Sequence, residues 1–139
     1  MPPLVRLLIP INHWQTMLDH VLACLPEEAC GLVAGRHGIV GQVRPIENVA
    51  HSPSRFRMEP RAQVEALIDL EAQGQELLAI YHSHPSGPPE PSATDLAEVS
   101  YPEAAAVIWC SDSRRWQAQA YALSGPAPVK VEIEILPAS

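Results

Sequence analysis

The chain reads as an α/β protein, a sandwich of helices around one mixed β-sheet. Three observations predict this. Two stretches, 11–25 and 61–72, carry apolar residues at helical spacing. Several short apolar or alternating runs read as strands. These segments follow one another as β-α-β-β-α-β-α-β-β-β, with no internal repeat, linker or low-complexity tract between them. At 139 residues the chain is expected to form a single domain, residues 1–139, long enough to bury a core without disulfides.

The elements follow from the residues in order. Leu4–Ile9 is a short apolar strand that Pro10 breaks. From Ile11 to Leu25, the residues Ile11, Trp14, Met17, Leu18, Val21, Leu22 and Leu25 recur at three and four, with Asn12 as the expected N-cap and Pro26 as the stop. Ala29–Ala34 and Ile39–Ile46 flank an Arg-His-Gly turn and read as a hairpin. Residues 47–60 are loop-like, with one short strand expected at Arg55–Met58. Arg61–Ala72 is a second helix with Val64, Leu67 and Ile68 as its apolar positions, ended by Gly74. Leu77–His82 is a strand, and the prolines at 85, 88, 89 and 91 forbid regular structure after it. A helical turn starts near Ser92. Ala104–Cys110 is all apolar and is the best candidate for a central strand. Trp116–Leu123 and Val129–Leu136 alternate as two more strands, the second with Val129, Val131, Ile133 and Ile135 on one face.

Composition narrows the function. The apolar fraction is 47%, but with a single Phe the core must come mainly from Leu, Val, Ile and Ala. A net charge of -7 with no basic run argues against nucleic acid as a partner. Cys24, Cys30 and Cys110 have no CxxC spacing, and an odd count reads as reduced thiols in the cytoplasm, with Cys24 and Cys110 buried and inert. No run approaches the ~18 apolar residues that would span a membrane, and the apolar run at the start is too short for a signal peptide.

The chemistry concentrates in His82–Asp95, HSHPSGPPEPSATD. Residues two apart on a strand point to the same face, so His82 and His84 can aim at one ion while Ser83 points away. The prolines limit the freedom of the loop that returns Asp95, eleven residues after His84. Two imidazoles and one carboxylate are zinc-ligand types, and three of them leave a fourth tetrahedral position open, as catalytic sites do. Ser92-Ala93-Thr94-Asp95 also has the form of a helix N-terminus, with Ser92 as the cap and Asp95 at the positive end of the dipole. Cap and ligand roles are compatible. The other histidines, His13, His20, His37 and His51, show no comparable pattern.

The string His-x-His-Pro, six residues, Ser-x-x-Asp resembles the signature of the JAMM (MPN-plus) zinc metalloproteases. A second motif, PEEACGLVAG at 26–35, resembles the upstream Pro-x-Glu-x-Cys-Gly of the same family. The resemblance covers most of the chain and looks most like the compact prokaryotic members. It implies the MPN/JAMM fold, a cytidine-deaminase-like α-β-α sandwich around one mixed, curved sheet. It also implies one zinc ion per chain held by His82, His84 and Asp95, with Glu28 as general acid/base and Ser92 stabilising the oxyanion. The family spacing selects Glu28 over Glu27, which reads as an exposed charge at the helix end.

The function implied is hydrolysis of a peptide or isopeptide bond after the C-terminal Gly-Gly of a ubiquitin-like or sulfur-carrier protein. Arg55, Arg57 and Arg61 would meet acidic residues of such a carrier, or are solvated loop arginines. Alternatives are a RadC-like domain of the same superfamily, a non-catalytic MPN scaffold, and a phage-tail relative. The sequence leaves open which carrier is cleaved, how much tail is removed and what Cys30 does.

Overall fold

A computed structural model describes residues 4–112 and 115–139. The element order is the expected one: β1 (Arg6–Pro10), α1 (Ile11–Cys24), β2 (Cys30–Arg36), β3 (Ile39–Ile46), α2 (Pro60–Ala72), β4 (Glu76–His84), α3 (Ala93–Ala97), β5 (Ala105–Asp112), β6 (Arg115–Ala122) and β7 (Val129–Leu136). The strands lie in the order β1-β3-β2-β4-β5-β6-β7. Pairs β1/β3, β4/β5 and β1/β7 are parallel and the others antiparallel, so the sheet is mixed. Its curvature is strong enough that β7 returns to pair with β1 from Arg6↔Glu132 to Pro10↔Leu136, closing the sheet into a barrel.

Helices cover two faces of the strands. Met17 and Val21 of α1 share one core cluster with Leu7, Ile9, Val33, Tyr81, Val107 and Trp109. Ala66 and Leu70 of α2 share the other with Cys30, Leu32 and Ala34. Neighbouring residues of β2 therefore point to opposite helices, which is why this strand is apolar throughout rather than alternating. Burial of a large side chain in such a cluster contributes roughly 1.5–3 kcal/mol. Trp109 is fully buried, with the Trp14 ring at a centroid distance of 4.5 Å. Gly31 is required here: a Cβ at this position would lie 2.6 Å from both the Arg44 carbonyl oxygen and Cζ of Tyr81.

Four expectations need correction. Asn12 does not cap α1; the helix follows β1 directly, Pro10 is its N-cap residue without a side-chain bond, and the Asn12 side chain accepts from the Ser139 N–H instead. Of the expected apolar positions of α2, Leu67 packs against the core, but Val64 and Ile68 are exposed and Ala66 and Leu70 are buried instead. On β7 Val131 is buried and Ile133 packs against the core, whereas Val129 and Ile135 are exposed. The segment around Arg55–Met58 forms a single bridge, Asn48↔Met58, rather than a strand. Among the described residues no helix is long and apolar enough to cross a membrane.

Candidate metal centre and catalytic site

The site forms at the C-terminal end of β4. This strand runs between β2 and β5, where Cys30 and Ile108 flank His82 and Cys110 flanks His84. Both histidines are buried and on one face. Ser83 points the other way, as the alternation requires. Its Oγ accepts from the Ala29 N–H at 2.8 Å, and its own N–H donates to the Ala29 carbonyl at 3.1 Å. This tie fixes the end of β4 against the start of β2, where Glu28 sits.

The loop after His84 returns Asp95 by local bonds. The His84 Nδ1–H donates to the Pro88 carbonyl at 2.8 Å, and the Tyr121 hydroxyl donates to the Pro89 carbonyl at 2.7 Å. Gly87 is packed over His84, where a Cβ would lie 3.2 Å from the His84 Cβ. Ser92 then caps α3 as expected: its Oγ accepts from the Asp95 N–H at 3.0 Å, and Asp95 Oδ2 accepts from the Ser92 N–H at 2.8 Å. This reciprocal capping box sets the Asp95 rotamer.

The result brings the three sequence-predicted ligands together. His82 Nε2 and His84 Nε2 lie 3.1 Å apart, and Asp95 Oδ2 is 3.1 Å from the first and 3.0 Å from the second. A tetrahedral shell with ligand distances of ~2.0–2.1 Å places its ligand atoms roughly 3.3 Å apart, so the triangle has the dimensions of one face of such a shell. The donor set also fits. With its proton on Nδ1, His84 presents an Nε2 lone pair to the centre, and two imidazole nitrogens with one carboxylate oxygen suit zinc. Burial works to raise the Asp95 carboxyl, but bonds from both imidazoles and the Ser92 N–H hold it well below the usual carboxylate range. Burial pushes His82 down. In His84 the same burial is outweighed by the bonds to Asp95 and Pro88, and its affinity for a proton rises. A metal ion must compete with that proton.

Glu28 lies beside this cluster, buried, and its Oε1 has no hydrogen-bond partner. Burial raises its pKa to about 8, with His84 pulling it down and Asp95 pushing it up. An unpaired buried carboxyl oxygen is costly. Glu27, by contrast, faces His51 at 3.2 Å and is half exposed. A cavity of about 620 Å³ opens next to His82 and Asp95, floored by Ile80, Ala105 and Ala106. Arg55 pairs with Glu98 at 2.9 Å across its rim, so of the arginines expected to meet a carrier, Arg55 is already engaged within the chain. Cys30 is a packed thiol, donating to the Ile46 carbonyl and pushed up to about 12 by burial, and all three cysteines are free. Cys110 is buried as expected, whereas Cys24 is only half-buried.

Two residues with no sequence signal of their own complete the site. The Phe56 ring stacks on His82 at 4.6 Å with the planes 24° apart. Asn48 is buried, and its side chain bonds both the loop that carries Phe56 and the Glu28 carbonyl. Neither belongs to a motif. A lone Phe within a charged loop, and an Asn at a strand end, give no hint of what they touch.

Comparison with known proteins places this arrangement. Residues 10–120 match the family described as prokaryotic homologs of the JAB domain. A "Probable TtuB-protein conjugate cleaving protease" of Thermus thermophilus is 42% identical over 96 residues, which cover 68% of this chain and 64% of that protein, so the match spans just under two thirds of that relative. A "Desampylase" of Pyrococcus furiosus is 33% identical over 132 residues, 92% of this chain and 91% of that one. A "CysO-cysteine peptidase" of Mycobacterium tuberculosis is 27% identical over 133 residues, covering 94% and 91%. The solution structure of protein DSY2949 from Desulfitobacterium hafniense superposes with a TM-score of 0.85 at 29% identity, over 94% of this chain and 93% of that one.

Proposed function

Because the chain belongs to the prokaryotic homologs of the JAB domain, the compact JAMM/MPN group, we propose that it is a zinc-dependent peptidase. It hydrolyses the peptide or isopeptide bond that follows the C-terminal Gly-Gly of a ubiquitin-like or sulfur-carrier protein. The observation that carries this reading is the convergence of two imidazole nitrogens and a carboxylate oxygen within 4.8 Å, beside a buried Glu28 whose Oε1 is unpartnered. The names of the relatives, a conjugate-cleaving protease, a desampylase and a peptidase, support a hydrolase over a scaffold. The pairing of β1 with β7 supports reading the chain as one domain.

His82, His84 and Asp95 would hold the ion. When bound, zinc supplies an activated water near neutral pH and polarises the substrate carbonyl. Glu28 accepts the proton of the attacking water and delivers it to the leaving nitrogen. Burial, with a further push from Asp95 and a pull down from His84, raises its pKa to about 8, and an added positive charge nearby favours the ionised form, bringing the group to where both protonation states are within reach at pH 7. Ser92 Oγ accepts from the Asp95 N–H, so its own proton is available to donate to the oxyanion that develops on the carbonyl. The closed, buried end of β4 keeps bulk solvent away from Glu28. A Gly-Gly tail, without side chains, is slender enough to reach such a centre.

The test uses carrier proteins bearing C-terminal extensions or lysine conjugates, followed by intact mass. Zinc near one equivalent and a product ending in Gly-Gly are expected. Glu28→Gln is expected to keep zinc and lose cleavage by about 10²–10⁴-fold. A protein purified without chelator that holds no zinc, or a Glu28→Gln variant of full activity, contradicts the reading.

A further inference from the structure

One loop touches both halves of the site. Glu28 carries no side-chain partner at Oε1, so its position depends on its backbone. Both of its backbone groups are held by residues 48–52: the Glu28 N–H donates to the Ser52 carbonyl at 2.9 Å, and the Asn48 Nδ2 donates to the Glu28 carbonyl at 3.0 Å. The same Asn48 organises the rest of the loop. Its Nδ2 also donates to the Arg55 carbonyl at 3.1 Å, while its Oδ1 accepts from the Ala50 N–H at 3.0 Å and the Arg57 N–H at 2.9 Å. Val49 N–H closes the loop base on the Arg57 carbonyl at 2.9 Å. A buried amide with four bonds to backbone is a fixed joint. Between the two clamped residues, Arg55 and Arg57, stands Phe56, whose ring lies on His82.

We propose that Asn48 and Phe56 are positioning residues: Asn48 sets Glu28 and the Phe56 ring from one joint, and Phe56 locks the plane of the His82 imidazole so that Nε2 faces His84 and Asp95. This rests on the metallopeptidase reading for what the geometry serves. An imidazole on a strand end can rotate about its ring torsion unless a hydrogen bond or a contact on its face holds it. The Phe56 ring supplies this contact and excludes water from the same face. Partners that orient metal-binding histidines typically change metal affinity or activity by about 10–100-fold when lost.

The experiment compares wild type, Phe56→Ala, Phe56→Tyr and Asn48→Asp. Zinc affinity is read by competition with a chromophoric chelator, ligand geometry by the visible bands of the cobalt(II)-loaded protein, and folding by thermal unfolding of the metal-free form. Phe56→Ala is expected to bind zinc at least tenfold more weakly, to shift the cobalt bands and to lower kcat with KM within twofold. Phe56→Tyr, which keeps the ring, restores all three. Asn48→Asp keeps the two bonds the side chain accepts and removes the two it donates, and it is expected to lower kcat; should it not fold, the Phe56 pair decides alone. Phe56 also borders the cavity. If Phe56→Ala raises KM or lowers the unfolding temperature while zinc affinity and cobalt bands stay at wild-type values, Phe56 only lines the substrate path and the proposal is overturned. A wild type that binds no zinc defeats the proposed function itself. A wild type that binds zinc but cleaves no carrier defeats only the substrate assignment, and the zinc and cobalt measurements still decide the role of Phe56.

Discussion

The Nδ1 of His84 lies 2.8 Å from the carbonyl oxygen of Pro88, and that contact decides which imidazole nitrogen faces the ligand cluster. A carbonyl can only accept, so Nδ1 carries a proton, and in the neutral ring Nε2 is the nitrogen left with a lone pair. In the zinc-loaded protein, nitrogen-15 spectra of the His84 ring are expected to show a protonated Nδ1 and a metal-bound Nε2. The opposite tautomer would mean that the proline-rich loop does not orient this ligand.

Glu28 makes the metal-free protein sensitive to pH. Its carboxyl titrates near 4.5 when exposed and at about 8 in the fold. Between those values the unfolded chain has released the proton that the folded chain still holds, so this group's contribution to stability falls as pH rises through that window. Glu28→Gln removes the dependence. In chelator-treated protein the melting temperature of Glu28→Gln relative to wild type is expected to increase steadily from pH 5 to pH 8. A difference that stays constant across that range would show that Glu28 is not held protonated by burial.

Ser92 has two roles that one pair of variants separates. Ser92→Ala loses the capping bond to the Asp95 N–H, which costs about 1 kcal/mol of stability, and it also loses the proposed oxyanion donor, typically about 10²–10³ in kcat. Ser92→Thr keeps both groups. Urea denaturation and steady-state cleavage, measured on the same preparations, are expected to show loss in the first variant and retention in the second. Full activity in Ser92→Ala would confine the residue to capping.

Gly31, the glycine of the upstream motif, is a packing requirement rather than a chemical one. A Cβ there meets the Tyr81 ring and the Arg44 carbonyl oxygen, and Tyr81 cannot move freely because its hydroxyl is bonded to His20 Nδ1 at 2.7 Å. Gly31→Ala is expected to destabilise the protein by about 1–3 kcal/mol in chemical denaturation. A neutral substitution would show that the Tyr81 ring yields to a Cβ at residue 31.

Much of the site was legible because its determinants are local. His82 and His84 share a face through strand alternation, and Ser92 and Asp95 build their capping box within four residues. Both are consequences of backbone periodicity. Glu28 was legible only through its motif, and nothing in its own neighbourhood announced that its Oε1 would be buried without a partner. Phe56 and Asn48 were not legible at all, since their contacts reach across 20 or more residues to His82 and Glu28.

The same division runs through the fold. By itself the sequence determined the order of ten elements, and it set β3 and β7 at the bounds observed, Ile39–Ile46 and Val129–Leu136, because alternation and turn residues act over a few positions. Only the tertiary structure decided that β7 closes on β1, that α2 buries Ala66 and Leu70 instead of Val64 and Ile68, and that Arg55 is spent on Glu98. The α2 sequence has apolar residues on more than one side, so periodicity leaves its face undetermined until the sheet surface selects the side that packs closest. Strand closure and ion pairing likewise depend on where distant segments meet, and no local preference encodes that meeting.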